Sequence, residues 1–376
     1  MSLSVEPVLS RRTLRDFTRL PWQVYRGDRG WVPPLLSEVE EAVRPAPDAR
    51  AHGVAVGQAF VAYRDGAAAG RIFAAFDPDL NRDKQTRAGH LSLFECLNDG
   101  AVADALFDAA LGWLRDRRIR TVRGPVCPAG PALDEQKGLL VEGFEHRPVV
   151  LTSYNPPYYQ ALFERGGFEK DADVYAYRLD ADALFARNPA RIVEYAERRY
   201  GFRVDPINTR AVEAEVHAIK HVLDLAVPAE WADMAPPSLD DVRQMASRLM
   251  PMVDPAITAI ARAGDEPVGF GIAVPDYNQV LVHLNGRITP LGALKYLWYK
   301  RRINWVRFFI MFVVPEFRHK GVAHAIYYRV FDRGTAVGYR HGEASTIGET
   351  NRQMRADIEK MGGVRYKTYR VYGQAL

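Results

Sequence analysis

The chain has 376 residues, 48% hydrophobic and 26% charged, an ordinary globular composition at a length that suits two or three domains. Fifty Lys and Arg against 46 Asp and Glu leave a net charge of only +4, which argues against a dedicated nucleic-acid binder. Two cysteines, Cys96 and Cys127, exclude a disulfide scaffold, and no apolar run approaches a membrane span, so the expectation is a cytoplasmic protein.

In chain order, residues 1–50, with the segment LPWQVYRGDRGWVPPLL, read as an N-terminal extension wrapping a first domain at 51–180. That domain opens with a hairpin, FVAYRDGAAAGRIFAA, turning at Asp-Gly. A strand, HLSLFECL, and a helix, VADALFDAALGWLRDRR, follow. The stretch 138–159, GLLVEGFEHRPVVLTSYNPPYY, is too irregular for a regular element and too apolar for a free loop. It reads as the lining of a cleft, with Glu142, Tyr154, Asn155 and Tyr158 as substrate contacts, or as a packing loop pinned by Pro156 and Pro157. A short helix, Gly166-Gly167 and an aromatic strand close the domain, and residues 181–201 read as a linking helix.

The plan then repeats over 202–376. The hairpin ITAIARAGDEPVGFGIA sets Gly269 against Gly70, 199 residues apart, and the later helix stop sets Gly362 against Gly166, 196 apart. Two landmarks at nearly equal offsets argue for a tandem duplication, hence for two related α/β domains. The second copy carries an insertion at 275–304. Within and after it, Tyr296, Trp298, Tyr299 and Trp305 alternate with Lys295, Lys300, Arg301, Arg302 and Arg307, a pattern suited to an anionic lipid surface through 290–309 or to a surface helix with one buried face. Gly269-Phe270-Gly271 lies inside a hairpin strand, so it is no dinucleotide fingerprint.

The most specific local pattern is VVPEFRHKGVAHAIYYRV, 313–330. An apolar strand including Phe312, Val313 and Val314 runs through Arg318, His319, Lys320 and Gly321 into a helix opening with Val322 and Ala323. Backbone N–H groups at such a helix start form an anion site, and the flanking cations favour a pyrophosphate. The first copy passes from Cys96 straight to its helix, with acidic Asp99 where an anion would need donors, so it is expected to bind none.

The run Arg318-x-x-Gly321-x-Ala323 after Val-Pro-Glu-Phe resembles the acyl-CoA pyrophosphate loop of the GCN5-related N-acetyltransferase superfamily. The strand order around it is similar over 202–376 and, less closely, over 50–180. The resemblance implies an α/β (α+β) fold of two tandem domains, each a mixed, mostly antiparallel sheet flanked by helices. It implies acyl transfer from acyl-CoA to an amine without a metal. The family's usual acid, a tyrosine seven residues after the asparagine, falls on Ile358; Tyr327, Tyr328 and Tyr366 are substitutes. For the general base the sequence offers Glu349, whose other reading is a helix-capping acid, and His283 in the insertion. Glu95 and Glu142 are further acidic candidates from the first domain. Asn351 is either a helix cap or a contact to the pantetheine arm. The layout is similar to bacterial double-domain acyltransferases that include the ceramide synthases, which implies a long acyl chain and a lipid-like acceptor. A small-amine acetyltransferase and a non-catalytic acyl-CoA sensor are the alternatives.

Overall fold

The computed structural model describes residues 2–43, 56–127, 137–229, 231 and 234–376; the expected boundary at 50/51 lies outside them. The elements are β1 (Leu3–Pro7), α1 (Arg11–Arg19), α2 (Pro21–Val24), α3 (Leu36–Val43), β2 (Val56–Arg64), β3 (Ala67–Phe76), α4 (Pro78–Asp83), β4 (Ala88–Cys96), α5 (Gly100–Arg115), β5 (Thr121–Gly124), β6 (Leu139–Glu142), α6 (Tyr159–Arg165) and β7 (Glu169–Asp180). They continue with α7 (Ala181–Phe185), α8 (Pro189–Tyr200), β8 (Phe202–Pro206), α9 (Val212–Ala226), α10 (Leu239–Leu249), β9 (Thr258–Ala263), β10 (Glu266–Pro275), α11 (Asn278–Leu281) and α12 (Pro290–Lys300). The last are β11 (Trp305–Val313), α13 (Val322–Ala336), β12 (His341–Gly348), α14 (Arg352–Lys360) and β13 (Val364–Ala375). None of the helices is long and apolar enough to cross a membrane, among the described residues.

Two compact units emerge. The first is Met1–Val174 with Asn278–Trp298 and Lys367–Leu376; the second is Tyr175–Tyr277 with Tyr299–Tyr366. The first unit orders its strands β1-β2-β3-β4-β5-β13, with β6 also on β13. All neighbours are antiparallel except the parallel pair β4/β5. In the second unit the order is β8-β9-β10-β11-β12, antiparallel except β11/β12. Each unit has its own apolar core, with Leu91, Leu106 and Phe163 in one and Ile260, Phe270 and Ile326 in the other.

The duplication is visible in the register. Gly70 pairs with Cys96, the last residue of β4, and Gly269 pairs with Val313, the last residue of β11. A side chain at Gly70 would lie 2.6 Å from Leu106 of α5, and one at Gly269 3.3 Å from Val322 of α13. Both glycines therefore let the following helix approach its sheet, which is why the landmark recurs.

Two expectations about boundaries need correcting. Residues 2–43 of the expected extension belong to the fold: β1 and α1–α3 stand in the first unit where β8, α9 and α10 stand in the second. The divide at 181–201 is displaced to Val174/Tyr175, and the last strand of the second repeat returns to the first unit. There Tyr372 to Ala375 pair with Gly124 to Thr121. Strand pairing is non-local, and a repeat found in the sequence does not say which sheet receives its final strand. The insertion also joins the first unit through Trp22 Nε1, which donates to Asn285 Oδ1 at 2.8 Å, and the Leu36 amide, which donates to Gly286 O at 3.1 Å.

Candidate active site

In the second unit β11 and β12 pair only from Trp305↔His341 to Phe308↔Ala344, although they run on to Val313 and Gly348. Beyond Phe308 their facing edges are unpaired with one another. The register between β10 and β11 slips at the same place, Ile272 opposing Ile310 and Ala273 opposing Phe308, so Phe309 is a bulge residue. The Val314 amide donates to Val268 O at 3.0 Å. Antiparallel alternation then turns the Phe312 amide towards β10 as well, and the amides of Met311 and Val313 towards the open edge. Of Phe312, Val313 and Val314, only Val313 turns its amide to the open edge, and Met311, unanticipated, joins it.

The connection Val314–Gly321 ends in two left-handed residues, His319 at φ 66° and Gly321 at φ 84°. Gly321 is the N-cap of α13 and supplies no side-chain cap. The amides of Val322, Ala323 and His324 are thus the helix's orphan donors, and the helix dipole adds positive potential. Lys320 stands beside them, its Nζ 3.7 Å from Glu316 and 4.3 Å over the Phe317 ring. Arg318 does not serve as a rim cation of the expected kind. It donates from Nη2 to Ala226 O at 2.9 Å and from Nε to Val313 O at 3.3 Å, which ties the loop to the end of α9.

The equivalent helix of the first unit is stoppered. The carboxylate of Asp99, N-cap of α5, accepts from the amides of Ala101 and Val102 at 3.0 and 3.2 Å and is paired with Arg64 at 2.7 Å. Its pKa is lowered, first by the Arg64 hydrogen bond. The chain's own anion fills that site.

Next to the point where β11 and β12 part lies a cluster that only its tyrosine announced in the sequence. Arg307 and Glu343 are opposite each other in register and fully buried. Ser345 Oγ donates to Glu343 Oε1 at 2.6 Å and accepts from Arg307 Nε at 3.1 Å. Tyr366 donates its hydroxyl to Glu343 Oε2. Burial of two charged groups is tolerated where hydrogen bonds such as these use their capacity. The available signal was a lone acid and a lone arginine inside two apolar strands.

The other expected residues separate clearly. Asn351 is the N-cap of α14, accepting from the Met354 amide at 3.2 Å. Glu349 is half-buried on the connection from β12 to α14, and its backbone carbonyl accepts from Arg355 Nη1 at 2.9 Å. Ile358 is core. Tyr327 is buried and its pKa is raised by burial; Tyr328 packs edge-on against Phe185.

In the first unit the four expected contacts of 138–159 are bonded within the protein. Tyr154 donates to the Asp28 carboxylate at 3.0 Å, and burial with that neighbour pushes its pKa up to about 12. Asn155 is buried and exchanges both side-chain functions with Leu140 backbone, at 2.7 and 3.2 Å. Tyr158 donates to Cys96 O at 2.7 Å, and Glu142 accepts from Thr368 Oγ1 at 2.5 Å. Glu95 is raised by burial and holds Tyr159 Oη at 2.8 Å, with Arg71 at 3.6 Å. His283 is exposed on the segment after α11; partial desolvation, then Arg147 and Lys295, lower its pKa and favour the neutral ring.

No family model matches the chain. It is 30% identical over its whole length to the bacterial ceramide synthase of Caulobacter vibrioides (strain NA1000 / CB15N), covering 98% of that protein. It is 26% identical to protein YghO of Escherichia coli (strain K12), over 98% of this chain and 94% of that one. Among solved structures, a tandem GNAT protein from the clavulanic acid biosynthesis pathway superposes at a TM-score of 0.60 with 14% identity, covering 100% and 98% of the two chains. A GCN5-related N-acetyltransferase from Sphaerobacter thermophilus superposes at 0.55 with 14% identity, covering 99% and 95%.

Proposed function

The chain belongs to the family of the bacterial ceramide synthase, on a tandem GCN5-related N-acetyltransferase fold, and from that membership we propose that it moves a long acyl chain from acyl-CoA to the amine of a lipid-like acceptor such as a sphingoid base. The observation that carries the donor half is the contrast between the two helix starts. At Gly321 the three helix-start amides meet no side-chain cap and Lys320 stands beside them, whereas at Asp99 the same place holds a carboxylate. The amides of Val313 and Met311 stabilise the oxyanion that develops as the amine attacks the thioester carbonyl. The C–N bond forms, the C–S bond breaks, and the ammonium proton passes to a carboxylate. Two carboxylates compete for it: Glu349 directly, and Glu343 through Tyr366, whose hydroxyl donates to Glu343 and passes its own proton on as it takes up the ammonium's. That contact makes Tyr366 a better proton relay than an acid for the thiolate.

CoA release from palmitoyl-CoA is expected only when a long-chain amino-alcohol base is added. Release confined to acetyl-CoA and small amines would replace this reading with an acetyltransferase, and donor binding without turnover would replace it with a sensor.

The acceptor's chemistry agrees with α12. Leu291, Leu294, Leu297 and Trp298 are each 60% exposed or more, whereas Gly292 is buried and Tyr296 and Tyr299 are half-buried. At 3.6 residues per turn the four apolar side chains span an arc of about 120° on the side away from Gly292, with Lys295 and Lys300 flanking it. A helix whose apolar stripe faces outward between lysines suits the headgroup layer of an anionic bilayer. The protein is expected to co-sediment with phosphatidylglycerol vesicles at low salt and not with phosphatidylcholine vesicles. Leu294→Asn with Leu297→Asn should weaken that binding about ten-fold; equal retention of wild type and variant would remove the helix from the interface.

A further inference from the structure

The second unit holds a cavity between α9, α10 and the sheet that the acyl-transfer geometry does not use. Val212, Val216 and Ile219 line it from α9, spaced i, i+4, i+7. Val242, Met245, Ala246 and Leu249 line it from α10, spaced i, i+3, i+4, i+7, on a helix whose start is fixed by the Ser238–Asp241 capping box. Two apolar stripes facing each other across a helix pair ordinarily close to native packing density. Here they leave an apolar space between them that is unfilled and open at its mouth.

The wall offers no polar recognition. Its one carboxylate, Glu215, is occupied on both oxygens, by Arg262 at 2.7 Å and by the Asn208 amide at 3.2 Å. A ligand there must need no hydrogen bonds. The floor is Thr258 of β9 and Ile272 of β10. Ile272 pairs with Ile310, the residue after the Phe309 bulge. A side chain at Gly271 would strike Ile326 of α13 at 2.5 Å, so β10 turns Gly271 to α13 and Ile272 to the opposite, α9/α10 side. The cavity floor is therefore one strand spacing, about 4.8 Å, from the strand that carries the acyl-transfer donors.

We infer that the space between α9 and α10 is the binding site for a saturated unbranched alkyl chain, which bears on chain-length selection and rests on the long-chain reading above. The chain belongs either to the acyl group of the donor or to the tail of the acceptor; the chemistry that recognises it is the same. Small Ala246 leaves the room, and Met245 and Met250 are adaptable walls.

Two experiments on the full chain test this. In the first, Ala246→Phe is compared with Leu249→Ala over octanoyl-, palmitoyl- and stearoyl-CoA, and separately over acceptor bases of increasing length. Ala246→Phe is expected to lower the palmitoyl-to-octanoyl ratio of kcat/KM by about ten-fold and Leu249→Ala to raise the stearoyl-to-palmitoyl ratio. The same shift in the acceptor series alone assigns the site to the acceptor tail. A merely destabilised variant loses every chain length in parallel, and parallel loss in both variants overturns the inference. In the second, palmitoyl-CoA and a sphingoid base, each with a terminal diazirine, are photocrosslinked and the labelled peptides mapped. Label within 207–219 or 242–253 supports the site even if no long chain is turned over; label only elsewhere overturns it. Absence of long-chain turnover by wild type would instead sink the proposed function.

Discussion

Gly321→Val should abolish acyl-CoA binding in a chain that is still folded. The residue sits at φ 84°, where a β-branched side chain is strained, and its Cβ would lie 3.0 Å from the Ala196 Cβ on α8. Both effects push the same peptide, the one that sets the direction of the Val322, Ala323 and His324 amides. Strain of about 1–3 kcal/mol at one residue is less than the stability of a typical domain. The site, however, depends on several amides converging on one anion, and their rotation is expected to weaken CoA at least about 100-fold by calorimetry. The thermal transition should fall by only a few degrees. An unchanged Kd with a shifted transition would remove the loop from the donor site.

Glu343→Gln is expected to cut kcat by about 10²-fold or more with CoA affinity retained, because it removes the carboxylate that receives the relayed proton while keeping the shape of the cluster. Tyr366→Phe should do the same, and Glu349→Gln should slow turnover by only about ten-fold. A larger loss of kcat in Glu343→Gln than in Glu349→Gln, each with CoA affinity retained, identifies the relay. A Glu349→Gln variant without activity beside a near-native Glu343→Gln variant would make Glu349 the base. Glu343→Leu is a different experiment. It leaves the Ser345 and Tyr366 hydroxyls without their acceptor beside the buried Arg307, and unsatisfied buried polar groups cost about 1–3 kcal/mol each, so lost activity there would report destabilisation.

The anion loop and the duplication were legible because both are written locally. A glycine between a strand and a helix, or opening the second strand of a hairpin, states a backbone requirement that no distant residue can supply. Asp99 was legible for the same reason, as an acid at a helix start. What depended on pairing was not. The last strand resembled its counterpart in the first repeat, yet Tyr372 to Ala375 add to β5 of the first unit. Residues 1–50 lacked a second copy of any obvious landmark, so their strand and helices passed for an extension. Arg318 was read by its charge, but its position beside the carbonyls of Ala226 and Val313 makes it a brace. Similarly, only the register says that Phe312 and Val314 turn their amides inward and Met311 turns its amide out. Asn155 looked like a ligand contact and is a buried surrogate for a strand's hydrogen bonds.

The return of Lys367–Leu376 to the first unit sets a timetable for synthesis. Domains emerging from a ribosome ordinarily close in order, the earlier one before the later. Here the sheet edge at Thr121–Gly124 waits for partners made some 250 residues afterwards. At about 5–20 residues per second that wait lasts roughly 12–50 seconds. During it the nascent first half presents an unfinished β-edge, the kind of surface on which chains aggregate or recruit chaperones.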